Sequence, residues 1–223
     1  MLCVSENHGY TIAMPIATLL MALLSVIGAD QKHRIIFHDE FGGKLGDGWS
    51  WIRETRSDWR ISDKGLEVCI RPGNMWGPAN DARNLLVREA PKSDELWVSA
   101  SVSNHPTHQY EQVDLVWYFD DGHMVKVGQE LVDGKLSIVM GREENDKTRT
   151  ISITPINSDS LTLRLHITTG TVEGFFKLPD QDWMRVGRCT QPVKGVPKIS
   201  LMFYQGDPEA PHWARVSQVT IEE

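Results

Sequence analysis

Gln112-Val113-Asp114-Leu115-Val116-Trp117-Tyr118-Phe119, then Asp120-Asp121-Gly122, then Met124-Val125-Lys126-Val127-Gly128-Gln129-Glu130 reads as two strands joined by a tight turn. Val113, Leu115, Trp117 and Phe119 recur at every second position, so an extended chain puts all four on one face. Gln112, Asp114, Val116 and Tyr118 take the other. Asp121-Gly122 supplies residues that tolerate positive φ, as a two-residue hairpin turn requires. On the returning strand Lys126 and Glu130 share a face across Gly128. The hairpin therefore gathers Gln112, Asp114, Tyr118, Lys126 and Glu130 on one side. That side is either a solvated outer face of an antiparallel sheet or a lined binding face. If it is a binding face, truncating Asp114 or Glu130 removes binding and costs about 0.5 kcal/mol of stability or less, because these side chains point away from the core set.

The same signature continues outward in both directions. Alternating or β-branched segments fall at Arg34–His38, Trp49–Ile52, Leu66–Arg71, Leu96–Ser103, Lys135–Met140 and Arg149–Thr154. Others fall at Leu161–Thr168, Val172–Lys177, Lys198–Tyr204 and Ala214–Ile221. Lys64-Gly65, Asp133-Gly134, Asn145-Asp146 and Thr169-Gly170 supply turns between them. In Leu161–Ile167 the leucines and Ile167 point inward, while Thr162, Arg164 and His166 point out. In Lys198–Tyr204, Ile199, Leu201 and Phe203 form the core face and Ser200, Met202 and Tyr204 look away. No segment sustains a 3.6-residue period with caps, so the expected fold is all-β, with two packed antiparallel sheets.

Residues Ile16–Ile27 form an apolar run with only Thr18 and Ser25 interrupting it, followed by Gly28-Ala29. Such a run suits the apolar region of a signal peptide and is shorter than the roughly 20 residues a membrane span needs. The expectation is a signal peptide over 1–29, with Met14 as an alternative start, and one domain over 30–223. That places the domain outside the cell or in the periplasm, with no membrane association after cleavage. The 223 residues carry 23 Lys and Arg against 30 Asp and Glu, a formal charge of −7. With no basic run, phosphate-backbone binding is not expected, so nucleic acid is excluded as a partner. Cys69 and Cys189 either form one disulfide or remain packed thiols.

Several blocks resemble a known family. They are Phe37-His38-Asp39-Glu40-Phe41, Leu45–Glu54, Asn84–Pro91, Tyr110–Tyr118, Asp120–Val127 and Gln129-Glu130. In this order they resemble the C-terminal β-sandwich domain of bacterial β-xylosidases and arabinofuranosidases, and related free-standing proteins of uncertain function. The resemblance covers most of residues 35–185. It implies a concanavalin A-like jelly-roll sandwich. In those enzymes the domain packs against a five-bladed propeller that holds the catalytic carboxylates, and these residues are too few to hold both. Asp114 stands where the family usually has Gly. Asp39 fits the N-terminal half of a structural calcium site. Val216-Ser217-Gln218-Val219 lacks the Asp expected of the other half, so neither calcium dependence nor any cofactor is expected.

No chemical motif of hydrolysis is present. A retaining glycosidase needs two carboxyl groups about 5–5.5 Å apart, and no Glu-x-Asp-x-x-Glu strand occurs. Glu144-Asn145-Asp146 begins one, but Arg149 takes its last place. Gly-x-Ser-x-Gly and His-Glu-x-x-His are also absent, and His105-Pro106-Thr107-His108 reads as a solvent-exposed loop. Asp114 with Glu130, and Lys126 as charge partner, is the best carboxylate pair. Of eight tryptophans, Trp117 and Trp97 read as core, while Trp51 and Trp76 read as open. Flat indoles match the C–H face of a pyranose, and amides, carboxylates and Arg bond its hydroxyls. Trp51, Arg53, Trp76, Gln112, Asp114, Tyr118, Lys126 and Glu130 are the candidate ligand residues. Three functions fit: a carbohydrate-binding or accessory module, a glycoside hydrolase using that carboxylate pair, or a protein-interaction sandwich.

Overall fold

The computed structural model describes residues 33–192 and 194–223, so the expected signal peptide lies outside the described residues. The strands are β1 (Ile35–Asp39), β2 (Ser50–Ile52), β3 (Trp59–Ser62), β4 (Gly65–Cys69) and β5 (Leu85–Glu89). Next come β6 (Glu95–Ser103), β7 (Gln112–Asp120), β8 (His123–Val132), β9 (Lys135–Glu144) and β10 (Lys147–Pro155). The last are β11 (Ser160–Thr168), β12 (Thr171–Lys177), β13 (Met184–Thr190), β14 (Lys198–Tyr204) and β15 (Trp213–Glu222). β3, β5 and β13 were not among the segments expected from alternation. β3 has four residues, two of them Trp and Arg, and β13 is an edge strand whose apolar positions are broken by Arg185, Gly187 and Arg188.

Two antiparallel sheets result. The eight-stranded sheet runs β13-β12-β11-β6-β15-β4-β3, with β1 also paired to β15, and the seven-stranded sheet runs β10-β9-β8-β7-β14-β5-β2. Their facing sides interdigitate into one core. Val113, Leu115 and Trp117 of β7 meet Leu161, Leu163, Leu165 and Ile167 of β11, together with Val98, Ala100 and Val102 of β6. The inward sets of β7, β11 and β14 are those the alternation predicts. Trp97 is a correction: Leu96 and Val98 take the inward positions, so period two turns Trp97 outward. There it stacks on His166 at 3.8 Å.

A second apolar cluster lies on the other side of the seven-stranded sheet. Val116, Tyr118, Met124, Met202, Tyr204, Leu85 and Val87 point away from the main core and are buried all the same. The segment between β4 and β5 crosses them, inserting Met75 and Ala82. That segment is tied down by its own backbone. Asn74 Oδ1 accepts the Trp76 N–H at 2.9 Å, the Asp81 N–H meets Asn74 O at 3.0 Å, and the Gln205 N–H meets Gly73 O at 3.1 Å. Gly77 has φ +91°, which glycine adopts without the strain a Cβ would bring.

The two cysteines do not pair. Cys69 on β4 and Cys189 on β13 stand five strand spacings apart in one sheet, roughly 24 Å at about 4.8 Å per strand. A disulfide needs Cα atoms within about 7 Å, and both thiols are free and buried. Asp39 ends β1 with both oxygens engaged by protein donors. Oδ1 accepts the Phe41 N–H at 2.7 Å, and Oδ2 accepts Gly46 N–H at 2.8 Å and Trp49 Nε1–H at 3.0 Å.

Candidate functional site

The register of the seven-stranded sheet assembles the site row by row. Tyr204 pairs with Gln112, which pairs with Glu130, which pairs with Ser137. Met202, Asp114, Gly128 and Val139 form the next row, and Ser200, Val116, Lys126 and Gly141 the one after. All these side chains lie on the side away from the main core. The segment from Asn74 to Ala82, a strap across this face, and the sheet enclose a cleft of about 560 Å³ above the first two rows. Trp76 and Tyr110 give it aromatic walls, and Gln112, Lys126 and Glu130 its polar floor.

Two glycines make the floor possible. A Cβ at Gly128 would fall 1.6 Å from Asp114 Oδ1, so the carboxylate sits in the space glycine leaves. A Cβ at Gly141 would fall 2.4 Å from the benzo edge of Trp76, so the indole rests on that bare backbone.

Lys126 is the centre of the polar floor. Its ammonium donates to Gln112 Oε1, lies 3.2 Å from Glu130 Oε2 and 3.4 Å from the Tyr204 hydroxyl. Asp114 Oδ2 lies 3.5 Å away, a charge contact longer than a normal hydrogen bond. Gln112 is fixed at its other end, where its amide donates to Tyr110 O at 2.8 Å. The Lys126 ammonium also stands 5.1 Å from the Trp76 ring centroid and 5.6 Å from that of Tyr204, within cation–π range.

Burial sets the protonation of these groups. Asp114 has no exposed surface, and desolvation pushes its carboxyl up to about 6. The Lys126 charge opposes that rise and the Glu130 charge adds to it. Burial pulls Lys126 down, but Asp114 and Glu130 overcome this and hold the ammonium above its ordinary value. Burial also raises Tyr204 well above the phenol range, helped by the same two carboxylates.

The expected ligand residues separate into three groups. Gln112, Lys126, Glu130 and Trp76 line the cleft, and Asp114 lies directly beneath. Asp114 and Glu130 are therefore no surface residues, and the small cost expected for truncating either is corrected: both are buried and share Lys126, and Asp114 is closed in by Gly128 as well. Tyr118 and Arg53 belong to a neighbouring knot. The Tyr118 hydroxyl donates to Asp121 Oδ1 at 2.8 Å, and Arg53 reaches Asp121 Oδ2 at 2.7 Å and Ala82 O at 2.7 Å. Trp51 lies on the opposite face. It pairs with the core residue Leu86 and packs on the main core and on Trp59, with ring centroids 5.0 Å apart.

Three further residues join the site without having been expected there. Tyr110 precedes β7 with φ +67° and is 48% exposed at the cleft mouth. Tyr204 reaches under Lys126 from β14, on the side its alternation assigns. Glu143 is fully buried on β9, two residues beyond Gly141, and both its oxygens receive the Gly77 N–H at 3.2 Å. Burial pushes Glu143 to about 7, against the pull of that N–H, with Asp146 adding to the rise. β9 runs four residues past the apolar stretch that marked it, which is why Glu143 was missed. Among the described residues no group of three or more His, Cys, Asp or Glu is placed to hold a metal ion, and no helix is long and apolar enough to cross a membrane.

No family model and no curated protein matches the chain. Solved structures do. The GH43 BlXynB protein from Bacillus licheniformis superposes at TM-score 0.73 and 16% identity, over 87% of this chain and 40% of that one. A xylan β-1,4-xylosidase from Bacillus halodurans superposes at TM-score 0.72 and 15% identity, over 83% and 39% of the two chains. A functionally unknown protein from Saccharomyces cerevisiae does so at 0.59 and 16%, over 79% and 94%. The chain thus spans about two-fifths of the length of the two bacterial proteins. At these identities the likeness is one of fold, and the fold is that of the C-terminal β-sandwich of GH43 enzymes.

Proposed function

We propose that the cleft binds a neutral stretch of polysaccharide, and that the protein is an exported accessory or carbohydrate-binding module. The carrying observation is the pairing of aromatic walls with a fixed polar floor. Trp76 and Tyr110 offer ring faces to the C–H surface of a sugar, while Gln112 and Glu130, held in place by Lys126, offer amide and carboxylate groups to its hydroxyls. A volume of about 560 Å³ suits a small number of sugar rings. The xylan β-1,4-xylosidase among the similar structures makes xylan-type chains the first to test. Calorimetry against xylo-, arabino- and gluco-oligosaccharides tests the reading. Heat with at least one series, lost in Trp76→Ala and Tyr110→Ala while melting stays normal, supports it. No heat with any of them leaves a protein-interaction sandwich. Export is checked separately by N-terminal sequencing of secreted protein, expected to begin at or near Asp30.

One observation favours hydrolysis as a second reading. Asp114, with its carboxyl raised to about 6, shares Lys126 with Glu130, and two carboxyls in unlike environments are the pattern of an acid and its partner. Against it, Asp114 has no exposed surface and lies under Lys126, out of reach of an oxygen in the cleft. Product release from any of the same oligosaccharides, abolished by Glu130→Gln, would make this the better reading.

A further inference from the structure

The charge of the cleft carries a statement about which glycans it accepts, and this rests on the sugar-binding reading above. Lys126 is the single cation lining the cleft among the described residues. Its three N–H donors face four acceptors: Gln112 Oε1, Glu130 Oε2, the Tyr204 hydroxyl and Asp114 Oδ2. Lys126 is 2% exposed, so an anionic ligand gains its ammonium only by displacing one of these partners. Negative charge, by contrast, is in excess. Glu130 lies in the floor and Asp133 at the exposed rim, with Asp114 beneath. Register places two other cations on this face, Lys135 opposite Val132 at the end of the β8–β9 hairpin and Lys198 opposite Tyr118 on β14, and neither lines the cleft. The chain as a whole adds the same sign, at −7.

We infer that the cleft selects uncharged glycans and rejects those bearing uronic acid or sulfate groups, with Lys126 serving as an internal counter-ion and not as an anion receptor. A carboxylate brought among Glu130 and Asp133 meets like charge in a partly desolvated groove, where repulsion is stronger than in bulk water. Near the rim that repulsion is open to salt.

The test isolates charge from shape. A uronic-acid-decorated xylo-oligosaccharide is compared with the same compound after its carboxyl has been reduced to the alcohol, by calorimetry on the whole protein at pH 7. The expected result is binding of the reduced compound roughly tenfold or more tighter at about 10 mM salt, with the ratio falling toward one at about 0.5 M, where the screening length is a few ångströms. Asp133→Lys is expected to narrow the low-salt ratio. Equal affinity for the two compounds at low salt, or tighter binding of the acidic one, overturns the selectivity and leaves sugar binding standing. No binding of either compound, or of any undecorated oligosaccharide, overturns both.

Discussion

β7 and β11 carry nearly the same pattern, and their outward faces meet different fates. On β11, Thr162, Arg164 and His166 alternate with buried leucines and remain partly exposed. The outer face of the eight-stranded sheet satisfies itself across its surface. His166 bonds Glu95 at 2.7 Å and Glu173 at 3.2 Å, Arg185 reaches Glu173 at 2.8 Å, and Arg164 lies 3.9 Å from the Trp183 ring centroid. On β7, Gln112, Asp114, Val116 and Tyr118 alternate in the same way, yet all four are buried. The strap from Asn74 to Ala82 packs over Val116 and Tyr118 and walls the cleft above Gln112, so polar groups that a solvated sheet would leave wet are closed off from bulk water. Alternation places a residue on a face. What lies above that face sets what the residue costs.

The largest effects should come from the interior positions. Trp117→Ala, on the inward face of β7, is expected to cost about 3–5 kcal/mol through cavity formation, with the Gln191 Oε1 acceptor of its indole N–H also left behind. Lys126→Ala should cost a similar amount, about 3–5 kcal/mol, because it strands Asp114 and Glu130 without their shared cation. Urea unfolding measures both. A loss below about 1 kcal/mol at Lys126 would mean the covered face behaves like a solvated one.

A smaller effect is expected in pH. Asp114 at about 6 and Glu143 at about 7 are both raised from the carboxylate range, so the folded protein holds protons that the unfolded chain has already released. Their contribution to stability is therefore fully present below about pH 4 and lost as pH rises through 6 to 7. Asp120, held below its ordinary value by His123 and Lys194 in spite of some burial, acts in the opposite sense and only at lower pH. Melting temperature should fall between about pH 5 and 7.5, and Glu143→Gln should flatten the upper half of that slope. A rise over this interval would contradict the burial of these carboxyls.

The smallest effect belongs to the open face. Arg185→Ala breaks the Glu173 ion pair, whose Arg side chain is half exposed, and should cost about 0–1 kcal/mol. If it cost as much as Lys126→Ala, the contrast between the two faces would fail.

Much of the site was legible from spacing. Gln112, Asp114, Lys126 and Glu130 converge because two strands joined by Asp121-Gly122 can pair in few registers, and period two then fixes their side. Trp76 was legible as a loop residue. Trp51 was not. Its orientation depends on pairing with Leu86 of β5, a strand that alternation did not mark. Nor was the drawing away of Tyr118 and Arg53: Asp121 takes Tyr118 from three residues off and Arg53 from 68 residues off, and neither partnership follows from alternation.

Local pattern thus carried the all-β class, the inward sets of β7, β11 and β14, and the convergence of the hairpin's polar residues, because these follow from strand periodicity and turn chemistry alone. The depth of Asp114, the partnerships of Lys126 and the cleft between Trp76 and Tyr110 needed the folded chain. They arise where the strap, held to Glu143 and β14, closes over one face of a sheet, and whether a segment covers a face is settled by contacts between residues as far apart as Gly77 and Glu143.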